Sequence, residues 1–489
     1  MSRINTNVSS LIAQNKLARS NENMAVRLQR LSTGLRINRG ADDPAGLIVS
    51  ERLRSELKGL TQAIDNSERA SSVISTTEGY LAEVADLLNS ISSLIVNSAN
   101  TGGVSDEEIA ANQLQIDSAI ESITRISNTA SFAGLQLLNG SLSYVTSGIA
   151  TSSLAGVTVH GVQFGTNSNI PVAVEVIQSA QTGQLFFSAP TGTLVSAITL
   201  EIAGNAGVQT MSFVSGTALS AVLAAVNTVR DTTGISASLR NPANPTSGMF
   251  FNSVTYGSNS FVGVRRLGDT GAFFETFLAP SGVATQRDTG RDVGAVINGA
   301  LATGNGTKVS INTPALAVDL DLTIGFATTL NALSDFTIVT GGATFQLGPS
   351  INTTQQVGVG IQSVAASRIG GTSISGGRFF LDSIKSGQPN SLLAGRTREA
   401  SAVLASAITE IASLRGRLGA FERNTLQTNA RSLQIGLENI MSSESKIRDA
   451  DFAQETALLS RSQILQQAGT SVLATANASA QGVLRLLQQ

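Results

Sequence analysis

The 489-residue chain has no cysteine, no tryptophan and a single histidine, His160. Without cysteine there is no disulfide framework, no thiolate nucleophile and no sulfur-based metal site. One imidazole sharply limits general acid–base and metal chemistry. The net charge is −2, so the total points neither to nucleic acid nor to an anionic membrane as partner. No apolar run approaches the ~20 residues that cross a bilayer, so no membrane insertion is expected. The opening "MSRINTNVSSLIAQNK" breaks its apolar residues with polar ones and lacks an unbroken apolar region and small-residue cleavage site. The expectation is a chain that stays inside the cell, or leaves by a route that reads no such signal.

Proline and phenylalanine are scarce at the ends and concentrated in the middle. Residues 142–390 hold eight of the nine prolines (all but Pro44) and 15 of the 18 phenylalanines. The same 249 residues carry only 21 charged side chains, against 45 in the 240 flanking residues. Runs such as "GVTVHGVQFGT" and "GRDVGAVINGA" alternate apolar and polar residues between glycine and asparagine, which predicts strands and turns. The flanks, rich in Ala, Leu, Ser, Gln and Arg, predict long helices.

In the first flank Met24, Leu28, Leu31 and Leu35 step by 4, 3 and 4. "RGADDPAG" breaks that pattern, and Asp42 or Asp43 is placed to cap the helix that Pro44 opens. Leu53, Leu57, Leu60 and Ile64 follow, then Ile74, Leu81, Val84, Leu88, Ile91 and Ile95, a heptad seam. Ser105 with Glu108 fits a capping box for a helix striped by Ile116, Ile120 and Ile123. The second flank mirrors the first: Leu404 to Phe421, then Leu433, Leu437, Ile440 and Ile447. Its last stripe is Leu458, Leu465, Val472, Ala476, Val483 and Leu487. Neither flank can bury its seams alone. The economical solution pairs the two ends and inserts the strand-rich middle between them. The expected fold is therefore α + β and multidomain: a long antiparallel helical rod or coiled coil built from both termini, with a β-rich insert. Residues 1–42 with 450–489 are expected as terminal helices, 43–180 with 391–449 as a helical rod domain with a β-hairpin, and 181–390 as the β-rich outer part, divided near 280. Sticky faces on the last helix point to self-assembly.

Other chemistry has little footing. His160, in "TVHGVQF", has no following Glu and no second His, so a zinc hydrolase is close to excluded and a strand residue facing solvent or a neighbour is expected. "GNGTK" and "GVGIQS" fail the spacings of phosphate and dinucleotide loops and read as turns. Asp319 and Asp321 in "DLDL" share one face of a strand; a solvated edge is the simpler reading beside a calcium site. No catalytic, metal or cofactor-binding residues are expected.

Three stretches go further than pattern. "LSTGLRINRGADDPAGLIVSERL" (31–53), "ENIMSSESKIRDADFAQET" (438–456) and "QQAGTSVLATANASAQGVLRLL" (466–487) resemble the end regions of bacterial flagellin, as does "INTNVSSLIAQNKL" at the start. The resemblance covers roughly the first 141 and the last 95 residues. It implies a structural subunit that self-assembles into the helical filament of the bacterial flagellum, giving motility. The subunit would be exported unfolded by the flagellar type III machinery, with a chaperone on its C-terminal helix. Partners would be further copies of the chain, the filament cap and the hook-junction proteins. The assembly interface would draw on Ile4, Val8, Leu11, Leu31, Leu35, Arg39, Asp42, Asp43, Leu458, Leu465, Val472, Ala476, Val483 and Leu487. In many flagellins an innate receptor of the animal host reads a charged patch before "NSAN". Here Ser90, Ser92 and Ser93 stand where that pattern has two Arg and a Glu, while Leu94 remains, so weak recognition is expected. The alternatives are a hook–filament junction protein, or a flagellin whose insert also acts as an adhesin.

Overall fold

The computed structural model describes residues 6–165, 167–268, 274–280, 282–374 and 377–487, with side chains up to residue 479 in the last helix. Its helices are α1 (Val8–Thr33), α2 (Pro44–Ser98), α3 (Asp106–Thr129), α4 (Leu219–Thr228), α5 (Arg230–Thr233), α6 (Ile324–Thr328), α7 (Thr397–Phe421), α8 (Gln427–Arg448) and α9 (Phe452–Leu487). The chain divides into two compact units. One comprises residues 1–72, 346–351 and 420–489, the other 73–345 and 352–419.

The first unit is helical. Asn7 caps α1 by accepting from the Ser10 N–H at 3.0 Å, and Gly34, at φ 73°, ends it in the left-handed region that favours glycine. Asp42 and Asp43 divide the work of the following turn. Asp42 accepts from the N–H groups of Asn38 and Arg39, while Asp43 accepts from Gly46 and caps α2. Pro44 begins that helix, where a missing N–H costs nothing. The first part of α2 runs antiparallel to α8: Arg448 meets Glu51 at 3.2 Å, and at the other end Asn429 donates to Ser67 Oγ at 3.3 Å. Asn429 also donates to Leu347 O at 2.7 Å, and Pro349 lies against Gly59, so residues 346–351 clip onto these helices.

The second unit joins helices to the strand-rich middle. The heptad seam of α2, Ile74 to Ile95, is fully buried, as are Ile116, Ile120 and Ile123 of α3. The capping box is formed: Glu108 N–H donates to Ser105 Oγ, and Ser105 N–H to Glu108 Oε2. The reading that no stretch has membrane-spanning length overlooks α2, which by length and composition alone is apolar enough to cross one. In its second half the seam residues Ile74 to Ile95 are buried in protein, while Val96 is 68% exposed. A hairpin, Ser131–Phe132 with Leu135–Gln136, turns through Ala133 and Gly134, both at positive φ.

The middle consists of two antiparallel sandwiches, one nested in the other. In the outer one, a five-stranded sheet centred on Ile170–Gln178 and Leu333–Gly341 faces a four-stranded sheet containing Leu154–Val162 and Leu316–Leu322. Val172, Val174, Val176, Val318, Leu320 and Phe336 fill the space between them. The strands before residue 180 thus find their partners beyond residue 290. Residues 184–289 form the nested sandwich, around Leu185, Phe187, Leu200, Ile202, Phe251 and Val262. Alternation of period two along each strand supplies these inward faces. Tyr144 anchors the outer sandwich: its hydroxyl accepts from the Val162 N–H at 3.1 Å, and Gly342, Gly358 and Gly360 leave room for its ring.

Candidate assembly interface

Helices α1 and α9 run antiparallel and pair from the Arg30–Glu455 contact to that of Asn7 with Ala476. At one end the backbones bridge between Leu35 and Asp449, with Ala450 N–H donating to Gly34 O at 2.9 Å. Asp451 caps α9 through the N–H groups of Ala453 and Gln454. Beyond this, four residues of α9 touch α1 at seven-residue steps. Glu455 accepts from Arg27 and Arg30. The Ser462 carbonyl accepts from Ser20 Oγ at 3.3 Å. Gly469 lies under Leu17, where an added Cβ would come within 3.2 Å of its Cδ1. The Ala476 carbonyl accepts from Asn7 Nδ2 at 3.0 Å. Ser10 and Ala13 are the buried positions on α1. Small residues let the two backbones approach, and the heptad step keeps the line facing one way.

The apolar stripe visible in the sequence is a different line. Leu458, Leu465 and Val472 also step by seven, but three residues further on, about 60° around the helix. Leu458 is half-buried, whereas Leu465 and Val472 remain 51% and 58% exposed. Ile464 beside them is exposed as well, and so are Val8, Leu11 and Ile12 on α1. The seam with α1 therefore brings small residues of α9 to closest approach and leaves Ile464, Leu465 and Val472 outside. Ala476 is the expected residue that falls on the α1-facing line.

Leu31 and Leu35 are half-buried, Arg39 and Asp42 exposed, and Asp43 half-buried in its cap. Hydrogen bonds from Arg39 and Asn38 backbone N–H groups, with the Arg30 and Arg39 charges, hold the Asp42 carboxyl below its ordinary range. Val483 and Leu487 lie on α9, but their side chains are outside the described residues, as is all of Ile4. Ser90 and Ser93 are exposed on α2 and bond back to the carbonyls of Asp86 and Ser90. Ser92 and Leu94 are half-buried. Reading by apolar period overlooks Arg27, Arg30, Glu455 and Gly469. The signal for them is the recurrence of Glu455, Ser462, Gly469 and Ala476 every seventh residue, which a search for large apolar residues passes over.

Within the insert, His160, Asp319 and Asp321 are engaged in ion pairs. Of the two alternatives for His160, a strand residue facing solvent or a neighbour, the structure takes the second. His160 sits with Arg417 of α7 around Asp319, its Nε2 3.0 Å from Asp319 Oδ2, while Arg417 Nη2 donates to the same oxygen at 2.5 Å. Burial would raise the Asp319 carboxyl, but these hydrogen bonds and charges outweigh it and hold it down at about 2. Asp321, on the same face, pairs with Lys308 and Arg378. Both carboxylates dock protein cations, and among the described residues no three His, Asp or Glu gather as a metal site.

Two terminal helices paired across a long insert, with Val8, Leu11, Ile12, Ile464, Leu465 and Val472 exposed on them, define a class of chain closed at its ends by a helical pair. Comparison with known proteins agrees. Residues 4–143 match the bacterial flagellin N-terminal helical region, and 402–487 the bacterial flagellin C-terminal helical region. B-type flagellin of Pseudomonas aeruginosa is 30% identical over 99% of both chains, and flagellin of Salmonella rubislaw 28% identical over 99% of both. The flagellar cap protein FliD D2-D3 domains of Escherichia coli align with a TM-score of 0.27 at 16% identity, over 41% of this chain and 98% of that one, too distant to carry weight. The chain belongs to the flagellin family: it is a structural subunit of the extracellular filament of the bacterial flagellum.

Proposed function

We propose that α1 and α9 form the inner layer of the filament, and that the outward lines on them are covered by neighbouring subunits. The observation that carries this is the exposure of Ile464, Leu465 and Val472 together with Val8, Leu11 and Ile12, all on the two end helices. Large apolar side chains left in water on both partners of a pair are a surface awaiting a further copy. A non-closing contact between copies propagates as a helix rather than a ring. Arg39, Asp42 and Asp43 form the turn between α1 and α2 and would meet the next layer.

The chain acts without catalysis. It is exported unfolded through the flagellar type III system, with a chaperone covering the α9 face until assembly. Ordering of the ends is then offset by lattice contacts. Cap and hook-junction proteins meet the two ends of the polymer. A host innate receptor is engaged weakly, because hydroxyls at Ser90, Ser92 and Ser93 replace charge-assisted partners; potent signalling by purified monomer in a cell reporter assay would refute this point.

The test is electron microscopy of seeded polymerisation, full length against a chain ending after Asp449. Long filaments from the full chain alone support the reading. Filaments from both defeat the role given to α9, and filaments from neither favour a junction protein.

A further inference from the structure

The line of α9 that faces α1 has little with which to choose a partner. Ser462, Gly469 and Ala476 are small, and Ser20 and Asn7 donate to main-chain carbonyls, which any helix offers. One position differs. Glu455 is 6% exposed, with both carboxylate oxygens 2.9 Å from Arg27 Nη1 and one of them 3.1 Å from Arg30 Nη1.

We propose that Glu455, read by Arg27 and Arg30, is a pairing code that makes α1 join α9 along this seam and excludes like helices from it. An assembling filament brings many copies of both helices together, so α1–α1 and α9–α9 are the competing pairs. An α9–α9 seam along this line would bury Glu455 with no cation on the line, since Arg461 of α9 is exposed to one side of it. An α1–α1 seam along this line would bring together four guanidiniums with no carboxylate on the line, since Glu22 of α1 is exposed to one side of it. A buried unpaired charge is far more costly than any packing difference among small residues. A paired buried charge adds little net stability, so its effect is selection among partners. A single buried polar position specifies partner and register in helical coils in the same way. The inference rests on the reading that the end helices assemble.

The absence of cysteine makes a clean test possible. In the assembled full chain, Ser20→Cys with Ser462→Cys reports the native pair as an intrachain disulfide. Ser462→Cys alone reports α9–α9 pairing as a covalent dimer on a non-reducing gel. Adding Glu455→Gln is expected to raise that dimer about tenfold, the ratio set by roughly one discriminating charge contact. Arg27→Glu with Arg30→Glu should raise it too, and adding Glu455→Arg should return it to the original level. A merely structural role would lower stability without changing the dimer fraction, and the swap would not restore it. An unchanged dimer fraction in Glu455→Gln filaments overturns the code and leaves the assembly reading standing. Failure of the unmodified chain to polymerise overturns the assembly reading itself.

Discussion

The double substitution Leu465→Ser with Val472→Ser tests the assembly surface most directly. Both side chains are already more than half exposed in the single chain. Replacing them should leave the unpolymerised chain within about 0.5 kcal/mol of its stability, as for other surface changes. Assembly is different, because it removes the remaining exposed area from water. Fully burying one Val or Leu is worth about 1.5–3 kcal/mol, so half of that for each gives about 2 kcal/mol per subunit added. At about 1.4 kcal/mol per factor of ten, the critical concentration for polymerisation should rise about thirtyfold. The assay is sedimentation of seeded polymer over a concentration series, with circular dichroism melting of the depolymerised chain as control. An unchanged critical concentration would show that these side chains stay wet in the polymer. A large loss of melting temperature in the monomer would show that the surface is part of the fold.

Four further outcomes follow from packing and charge. Leu88→Ala, in the fully buried α2 seam, should destabilise by about 2–5 kcal/mol in denaturant melts, because the surrounding helices cannot collapse onto the void. Gly358→Ala puts a Cβ 2.6 Å from the Tyr144 hydroxyl and 2.7 Å from Val162 O. It should cost about 1–3 kcal/mol, and measurably less beside Tyr144→Phe; equal costs in both backgrounds would clear the tyrosine of blame. Ser105→Ala should cost about 1 kcal/mol through the lost cap of α3, read as faster hydrogen exchange in its first turn. The Asp319 carboxyl, held at about 2 in the fold against 3.8 for a free aspartate, contributes stability that is present above pH 4 and lost as pH falls through 2. Asp319→Asn should flatten the acid side of the melting profile; an unaltered profile would mean that solvent screens the ion pair.

Periodicity alone makes much of this chain legible. The seam Ile74–Ile95, the Ser105–Glu108 box and the turn at Asp42–Pro44 are local, since each depends on residues within one or two helical turns. The strand-rich middle is legible as a class from its alternation and its turns. Its pairing is not, because the partners of Ile170–Gln178 lie more than a hundred residues away, and alternation says which face is buried but not against what. The insertion of residues 184–289, with a core of their own, between paired strands of the outer sandwich follows from those long-range pairings alone. His160 and Asp319 are 159 positions apart and read in isolation as surface polar residues; only the packing of α7 onto their strands makes them partners.

The end helices show the same division most sharply. The sequence by itself determined that α9 is an amphipathic helix with an apolar line at Leu458, Leu465 and Val472, because a 3.6-residue period fixes which side chains share a face. Which line meets α1 was decided by tertiary structure. Close approach of two backbones selects the smallest residues, so Ser462, Gly469 and Ala476 take the seam, Glu455 answers Arg27 and Arg30, and Ile464, Leu465 and Val472 are left exposed.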